Sequence, residues 1–396
     1  MTSRYRSLDD LEVAGKRVLL RADLNVPLED GRVADDTRLR ASLPTIQELL
    51  SSGATVILMS HLGRPKGGPD DAFRMGPVAG RLSELLGREV RYRPTSGPGS
   101  EDQQAYVQAA PAGSVTLLEN TRFDSRETAN DPALARVLAG YADVYVNDAF
   151  GSAHRAHAST EGVAHLLPSA AGRLMLAEVE ALSRLLEGPE APFVVLLGGA
   201  KVSDKLGVIK SLLGRADKLL VGGAMAYTFI KAQGGSVGSS LVEEDMQDTA
   251  RDLLERAVAA GSELRLPADS VCASEVRSGI DTAVHPSDRI PRDQMGLDIG
   301  PAAREDFREA LEGAKTVFWN GPMGVFEVPE FAGGTMSVAE AVAGLDAYTV
   351  VGGGDSLAAV NRSGVGDRIS HLSTGGGASL EFLESGDLPG LRVLRA

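Results

Sequence analysis

The 396-residue chain carries 54 acidic and 40 basic side chains, a formal net charge of −14, with 43% apolar and 24% charged residues. It lacks the basic footprint that a nucleic-acid or anionic-membrane surface needs, and no stretch approaches the roughly 18 apolar residues of a membrane span. The length calls for two hydrophobic cores of about 200 residues each. Cys272, the single cysteine, allows no internal disulfide and fits a reducing compartment. The N-terminus is broken by acids and lacks a signal peptide's apolar run, so the expected location is cytoplasmic.

Strand patterns alternate with helical ones along the chain, the mark of βαβ units and a parallel sheet. Residues 18–21, 55–60, 115–118 and 144–146 are short apolar runs without alternation, as strands covered on both faces require. Between them, 37–50 repeats Leu39, Leu43, Ile46, Leu49 and Leu50 at helical spacing and stops at Gly53, and 78–86 stops at Gly87. Residues 172–188 form one amphipathic helix ending at Gly188 and Pro189, read as a connecting helix and hinge. The expected fold is α/β: two doubly wound, Rossmann-like, three-layer domains, 1–171 and 189–380, joined by that hinge.

Ligands of open parallel sheets sit beyond the carboxyl ends of the strands, so the residues that follow each strand are the candidates. In the first half these loops carry charge: LLRADLNVP (19–27), the stretch around 35–38, LMSHLGRPKG (58–67), LLENTRF (117–123) and VNDAFGSAHRAHAST (146–160). Arg38, His61, Arg64, Arg122 and Arg155 all fall there, with Asp23 and Asn25 beside them. Arginine's planar fork suits carboxylate and phosphate oxygens, so several together suggest a small polyanion, with Asp23 and Asn25 free to take a hydroxyl. A single such arginine reads better as a solvated surface charge; the shared position after strands argues against that for the set.

In the second half the loops carry glycine instead: VVLLGGAKVSDK (194–205), LLVGGAMA (219–226), VFWNGPMGVFE (317–327), TVVGGGDSLAAV (349–360) and ISHLSTGGGASLEFL (369–383). Glycine lets backbone N–H groups approach phosphate oxygens, and a following helix N-terminus favours negative charge; each loop alone reads equally well as a tight turn. Lys201 and Lys205 lie four apart, so a helix starting near Val202 points both at one loop mouth, where cations stabilise a phosphoryl group in flight. Asp355 is the carboxylate placed for Mg²⁺. Glu327 suits either a metal or a nucleotide sugar hydroxyl. The phosphate-loop and dinucleotide fingerprints are absent, and nothing forms a zinc site or a nucleophile elbow.

Together these segments resemble phosphoglycerate kinase over essentially the whole chain; HLGRPKG, DAFGSAHRAHAST, GGAKVSDK, WNGPMGVFE and GGGDS occur in the family's order. The resemblance implies reversible transfer of the acyl phosphate of 1,3-bisphosphoglycerate to Mg-ADP, giving 3-phosphoglycerate and ATP, on closure of the two domains of a monomer. It implies glycerate contacts at Asp23, Asn25, Arg38, His61, Leu62, Gly63, Arg64, Arg122 and Arg155. It implies nucleotide contacts at Lys205, Gly296, Glu327, Gly353, Gly354, Asp355 and Ser356, with Asp355 on the metal. Arg38, Lys201 and the N–H groups around Gly375, Gly376 and Gly377 would stabilise the transferring group, and residues 381–396 would return to the N-terminal domain. Leu24, Ser152 and Glu161 depart from common family residues, and IPRDQMGLDIGP (290–301) lacks the Gly-Trp often found before MGLDIGP. A silent nucleotide- or glycerate-binding protein is the alternative; the presence of Arg38, Lys201, Lys205 and Asp355 weighs against it.

Overall fold

The computed structural model describes residues 4–396. They divide into two compact units, one formed by residues up to Glu180 with Asp387–Ala396, the other by Ala181–Gly386.

In the first unit the apolar runs form β1 (Arg17–Ala22), β2 (Thr55–Met59), β3 (Val90–Arg91), β4 (Val115–Leu117), β5 (Val144–Asp148) and β6 (Ser169–Ala171). They make one sheet in the order β3-β4-β2-β1-β5-β6, with every pair parallel. Alternate residues of each strand serve opposite faces, which explains the absence of polar alternation. Val18, Leu20, Val56, Leu58 and Val146 pack with Leu39 and Ile46 of α1 (Thr37–Ser51) and Val78 and Leu82 of α2 (Gly76–Leu86). Leu19, Ile57, Met59 and Tyr145 pack with Val107 of α3 (Glu101–Gln108) and Leu134 and Leu138 of α4 (Pro132–Ala139). Each fully buried Leu, Val or Ile side chain contributes about 1.5–3 kcal/mol, so this double-sided burial holds the sheet between its helix layers. Gly87 ends α2 in the left-handed conformation (φ 63°), where a side chain would be strained. The segment Asp387–Ala396 belongs to this unit: Gly390 N donates to Ala153 O at 2.8 Å, and Arg6 N to Leu394 O at 2.9 Å.

The division of the chain falls inside α5 (Arg173–Leu186). The second unit has β7 (Phe193–Leu197), β8 (Lys218–Val221), β9 (Glu263–Arg265), β10 (Thr316–Asn320), β11 (Tyr348–Gly352) and β12 (His371–Ser373). Their order is β9-β8-β7-β10-β11-β12, all parallel. This is the doubly wound arrangement whose ligand crevice opens where the winding reverses, here between β7 and β10. Helices α6 (Leu206–Leu212), α7 (Met225–Ala232), α8 (Gln247–Ala259), α9 (Pro301–Leu311), α10 (Gly333–Ala343), α11 (Gly354–Ser363) and α12 (Gly377–Ser385) follow in chain order. Val194, Leu196, Val317, Trp319 and Val351 pack with Phe307, Val338 and Val360, and the Trp319 indole donates to Gly321 O at 2.8 Å. A small antiparallel sheet of Asp269–Ala273, Ala283–Pro286 and Met295–Ile299 is added to this unit. No helix among the described residues is long and apolar enough to cross a membrane.

Two local expectations are corrected. The helix expected from Val202 begins at Leu206, after a 3₁₀ turn at Ser203–Lys205, so Lys201 and Lys205 do not stack on one α-helical face. The stretch at 35–38 follows a two-residue hairpin, Leu28–Glu29 with Arg32–Val33, instead of a sheet strand; Arg38 stands in the first turn of α1.

Candidate active site

Parallel strands bring their carboxyl ends to one edge of the sheet, and in the first unit that edge collects Asp23 after β1, His61 after β2, Arg122 after β4 and Arg155 after β5. Arg38 joins them by donating to Asp23 Oδ2 at 2.7 Å. Asn25 Oδ1 accepts from Gly63 N at 2.8 Å, and Gly63 O accepts from Arg122 Nη1 at 2.5 Å. Gly63 has φ 59°, and a Cβ there would stand 2.2 Å from the Phe73 ring, so only glycine fits. Leu62 is buried and its backbone is clasped by the Asn120 amide, which accepts from Leu62 N at 3.2 Å and donates to Leu62 O at 2.7 Å. Arg155 Nε donates to His154 Nε2 at 3.0 Å, whereas Arg64 is exposed.

Positive charge dominates this edge. Burial, and then the charges of Arg155, Arg21 and Arg64, lower the pKa of the Arg122 guanidinium. His157 is pushed down to about 4 by burial and by Arg21, Arg122 and Arg155. Burial and Arg21, Arg122, Arg38 and His157 hold the His61 imidazole well below its ordinary value. Both rings are therefore neutral at pH 7, and the arginines form an anion site with Asp23 as the acid among them.

In the second unit, a cavity of about 370 Å³ opens at the carboxyl ends of the strands, lined by Gly199, Tyr227, Gly296, Met323, Glu327 and Asp355 among others. Gly296 lies against the Tyr227 hydroxyl and donates its N–H to Ser240 Oγ at 2.9 Å. Beside the cavity, Lys205 donates to Asn320 Oδ1; burial lowers its pKa to about 8, against the opposing pull of Asp204 and Asp355. Gly353 (φ 94°) turns the chain from β11 into α11, a conformation closed to side chains. The first N–H groups of a helix have no intrahelical acceptor, so Gly354, Asp355 and Ser356 present donors there, while Ser356 Oγ accepts from Gly321 N at 2.7 Å. Gly376 (φ 57°) does the same for α12, with Gly377 at its start; Gly375 N is already taken by Ser373 Oγ at 3.3 Å. Lys201 is exposed, and its charge contributes to lowering the Glu243 pKa. With the α11 N-terminus and Asp355 at the cavity and the Lys205 ammonium close enough to feel the Asp355 charge, the arrangement suits a phosphate-bearing ligand.

Several residues of the site went unread in sequence. Arg21 is buried in β1, Glu127 is fully buried behind it, and Asn120 and Asn320 end β4's loop and β10. Arg21 interrupts and Asn320 ends an apolar run, a signal too slight to assign a role, whereas Asn120 and Glu127 stand in polar stretches and carry none.

An arginine-rich strand-end edge in one doubly wound unit and a glycine-lined cavity in the other are the features a phosphotransferase needs. The sequence model of phosphoglycerate kinase matches residues 8–386. A phosphoglycerate kinase of Thermus thermophilus is 59% identical over 390 residues, 98% of this chain and 99% of the relative; that of Deinococcus radiodurans is 55% identical over 98% and 93%. Solved structures of phosphoglycerate kinase from Coxiella burnetii (41% identity, TM-score 0.87) and Pyrococcus horikoshii (34%, TM-score 0.86) each match over 98% of both chains. The chain belongs to the phosphoglycerate kinase family, and it is a kinase that carries out phosphoryl transfer.

Proposed function

We propose that the first unit binds 3-phosphoglycerate or 1,3-bisphosphoglycerate through Asp23, Asn25, Arg38, His61, Leu62, Gly63, Arg64, Arg122 and Arg155. The second unit binds ADP or ATP through Lys205, Gly296, Glu327, Gly353, Gly354, Asp355 and Ser356. One observation carries this reading: the arginines gather at the strand ends of one unit, and the cavity with its helix N-termini belongs to the other. Arg38, Lys201 and the Gly375–Gly377 turn, through the N–H groups of Gly376 and Gly377, stabilise the phosphoryl group as it passes directly from acyl phosphate to ADP, where charge spreads over the equatorial oxygens. Since each chain holds both halves of the reaction, a monomer suffices, acting in glycolysis in the cytoplasm.

No described residue donates a hydrogen bond to the Asp355 carboxylate, which faces the cavity at the start of α11. Mg²⁺ commonly takes one or two protein carboxylates and completes its shell with phosphate oxygens and water, so the Asp355 carboxylate, with no hydrogen-bond donor on it, fits it. Bound, the ion would supply charge neutralisation to the nucleotide phosphates. Among this chain's own groups, Lys205 would bind the phosphates and the α11 N-terminus would orient them.

The test is ATP formation from 1,3-bisphosphoglycerate and ADP, read in a coupled assay with and without Mg²⁺. Binding of both substrates without turnover would instead assign a silent binding protein.

A further inference from the structure

Arg21 lies in β1 at 1% exposure, yet every N–H of its guanidinium has an acceptor inside its own unit. Nε donates to Ser159 Oγ at 3.0 Å; Nη1 donates to Ala22 O at 2.5 Å and, at 3.5 Å, to Ser60 Oγ; Nη2 donates to Ser152 Oγ at 3.3 Å. The other Nη2 proton meets His61 Nδ1 at 3.0 Å. A guanidinium has five N–H donors and no acceptor, so Arg21 has none left for a ligand. For the same reason, the Nδ1 atom that faces it must be unprotonated. Glu127, fully buried, stands behind Arg21: its Oε1 accepts from Ser159 Oγ at 2.5 Å and its Oε2 from Ser159 N at 3.0 Å.

We propose that Arg21 is a positioning residue for the reaction, holding His61 in the neutral Nε2–H tautomer so that the imidazole serves the glycerate anion as an uncharged donor. This rests on the reading that the first unit holds the glycerate. Arg21, Arg38, Arg122 and His157 all act on the His61 ring, with Glu127 as the buried acid beyond Arg21 and Asp23 as the acid on Arg38. In such a field a further positive charge is costly, while a neutral N–H adds a directional bond at no charge. The opposite tautomer would turn a lone pair toward the anion and repel it, so the identity of one proton separates a ligand from an obstacle.

The experiment is two-bond ¹H–¹⁵N correlation of the histidine rings over about pH 6 to 8, with His61 assigned by its loss in His61→Gln. The parent should show Nε2 protonated and Nδ1 bare throughout. Arg21→Met should mix the tautomers or let the ring titrate. It should also raise KM for 3-phosphoglycerate about tenfold or more, as loss of a bond to a charged group does, with kcat and the nucleotide KM within about twofold. Arg21→Lys, which can still donate to Nδ1, should recover part of both effects, and it decides the matter alongside the parent spectrum should Arg21→Met fail to fold. A protonated Nδ1 in the parent, an unchanged tautomer in Arg21→Met, or a changed tautomer without a rise in KM would each overturn the proposal. Arg155→Met in the same assay tests the underlying reading separately: if KM for 3-phosphoglycerate does not rise, that reading fails whatever His61 shows.

Discussion

Arg38 Nη1 lies 2.7 Å from Asp23 Oδ2, with the Asp23 side chain 5% exposed and that of Arg38 34%. The first turn of α1 is thereby tethered to the residue that follows β1, and the guanidinium keeps part of its surface open. Arg38→Ala should lower kcat by about 100- to 1,000-fold with little change in the Michaelis constants, the signature of a lost transition-state charge. Asp23→Ala should lower kcat less and raise KM for 3-phosphoglycerate. Because Asp23 acts partly through Arg38, the double variant should lose less than the product of the single losses; simply multiplicative losses would show that the tether has no catalytic consequence.

Lys205 gives a pH dependence of known sign. Unfolded, it holds its proton to about 10.5, and folded only to about 8, so burying the ammonium weakens the fold below about 8 and that cost fades as pH rises from about 8 toward 10.5. Nucleotide binding runs the other way, since it needs the charge. KM for ADP should rise as pH passes through about 8, and Lys205→Arg, which stays charged, should flatten the profile between pH 7 and 9. A profile equally steep in Lys205→Arg would place the titration on another group.

Asp355→Ala should weaken Mg-nucleotide binding, measured by calorimetry, while changing metal-free nucleotide affinity much less. Equal losses with and without Mg²⁺ would assign the carboxylate to the turn into α11.

At Gly296 an added Cβ would stand 1.9 Å from the Tyr227 Oη and 2.2 Å from its Cζ. Overpacking of this kind costs about 1–3 kcal/mol, and here the strain falls on the cavity wall. Gly296→Ala is expected to raise the nucleotide KM about tenfold with KM for 3-phosphoglycerate unchanged. An unchanged nucleotide KM would mean that the Tyr227 ring can withdraw without narrowing the cavity.

Asp148 is buried at the end of β5, where its Oδ1 accepts from Met175 N at 3.0 Å, and burial pushes its pKa up to about 7 from an ordinary 3.8. The folded state keeps this proton across that window while the unfolded chain releases it, so on this account stability falls as pH rises from about 4 to 7. Asp148→Asn retains the acceptor without the charge. Its thermal midpoint at pH 8 should exceed the parent's by about 2–4 °C, with the advantage shrinking at pH 5. A variant several degrees less stable at pH 8 would show that the charged form is the one the fold needs.

Both sheets and their helix layers were legible because strands covered on two faces leave unbroken apolar runs, and α1 and α2 end where glycines follow. The loop after each strand was likewise readable from its charge or its glycines. Residues that act from beneath were not: Arg21 reads as one more position in RVLLRA, and only the three-dimensional meeting of Ser60, His61, Ser152 and Ser159 around it gives it a role. Lys201 and Lys205 show the other limit. Their spacing of four suits a helix, but the chain makes a 3₁₀ turn first, and spacing alone cannot distinguish the two at a helix entrance.

The strip Asp387–Ala396 completes the first unit, yet in the chain it comes after all of the second. On the ribosome, where folding begins from the N-terminal side, residues 4–180 therefore lack the contacts of Gly390 with Ala153 and of Leu394 with Arg6 until the whole of the second unit has been synthesised. The last contacts of the first unit can form only once the second unit has been made.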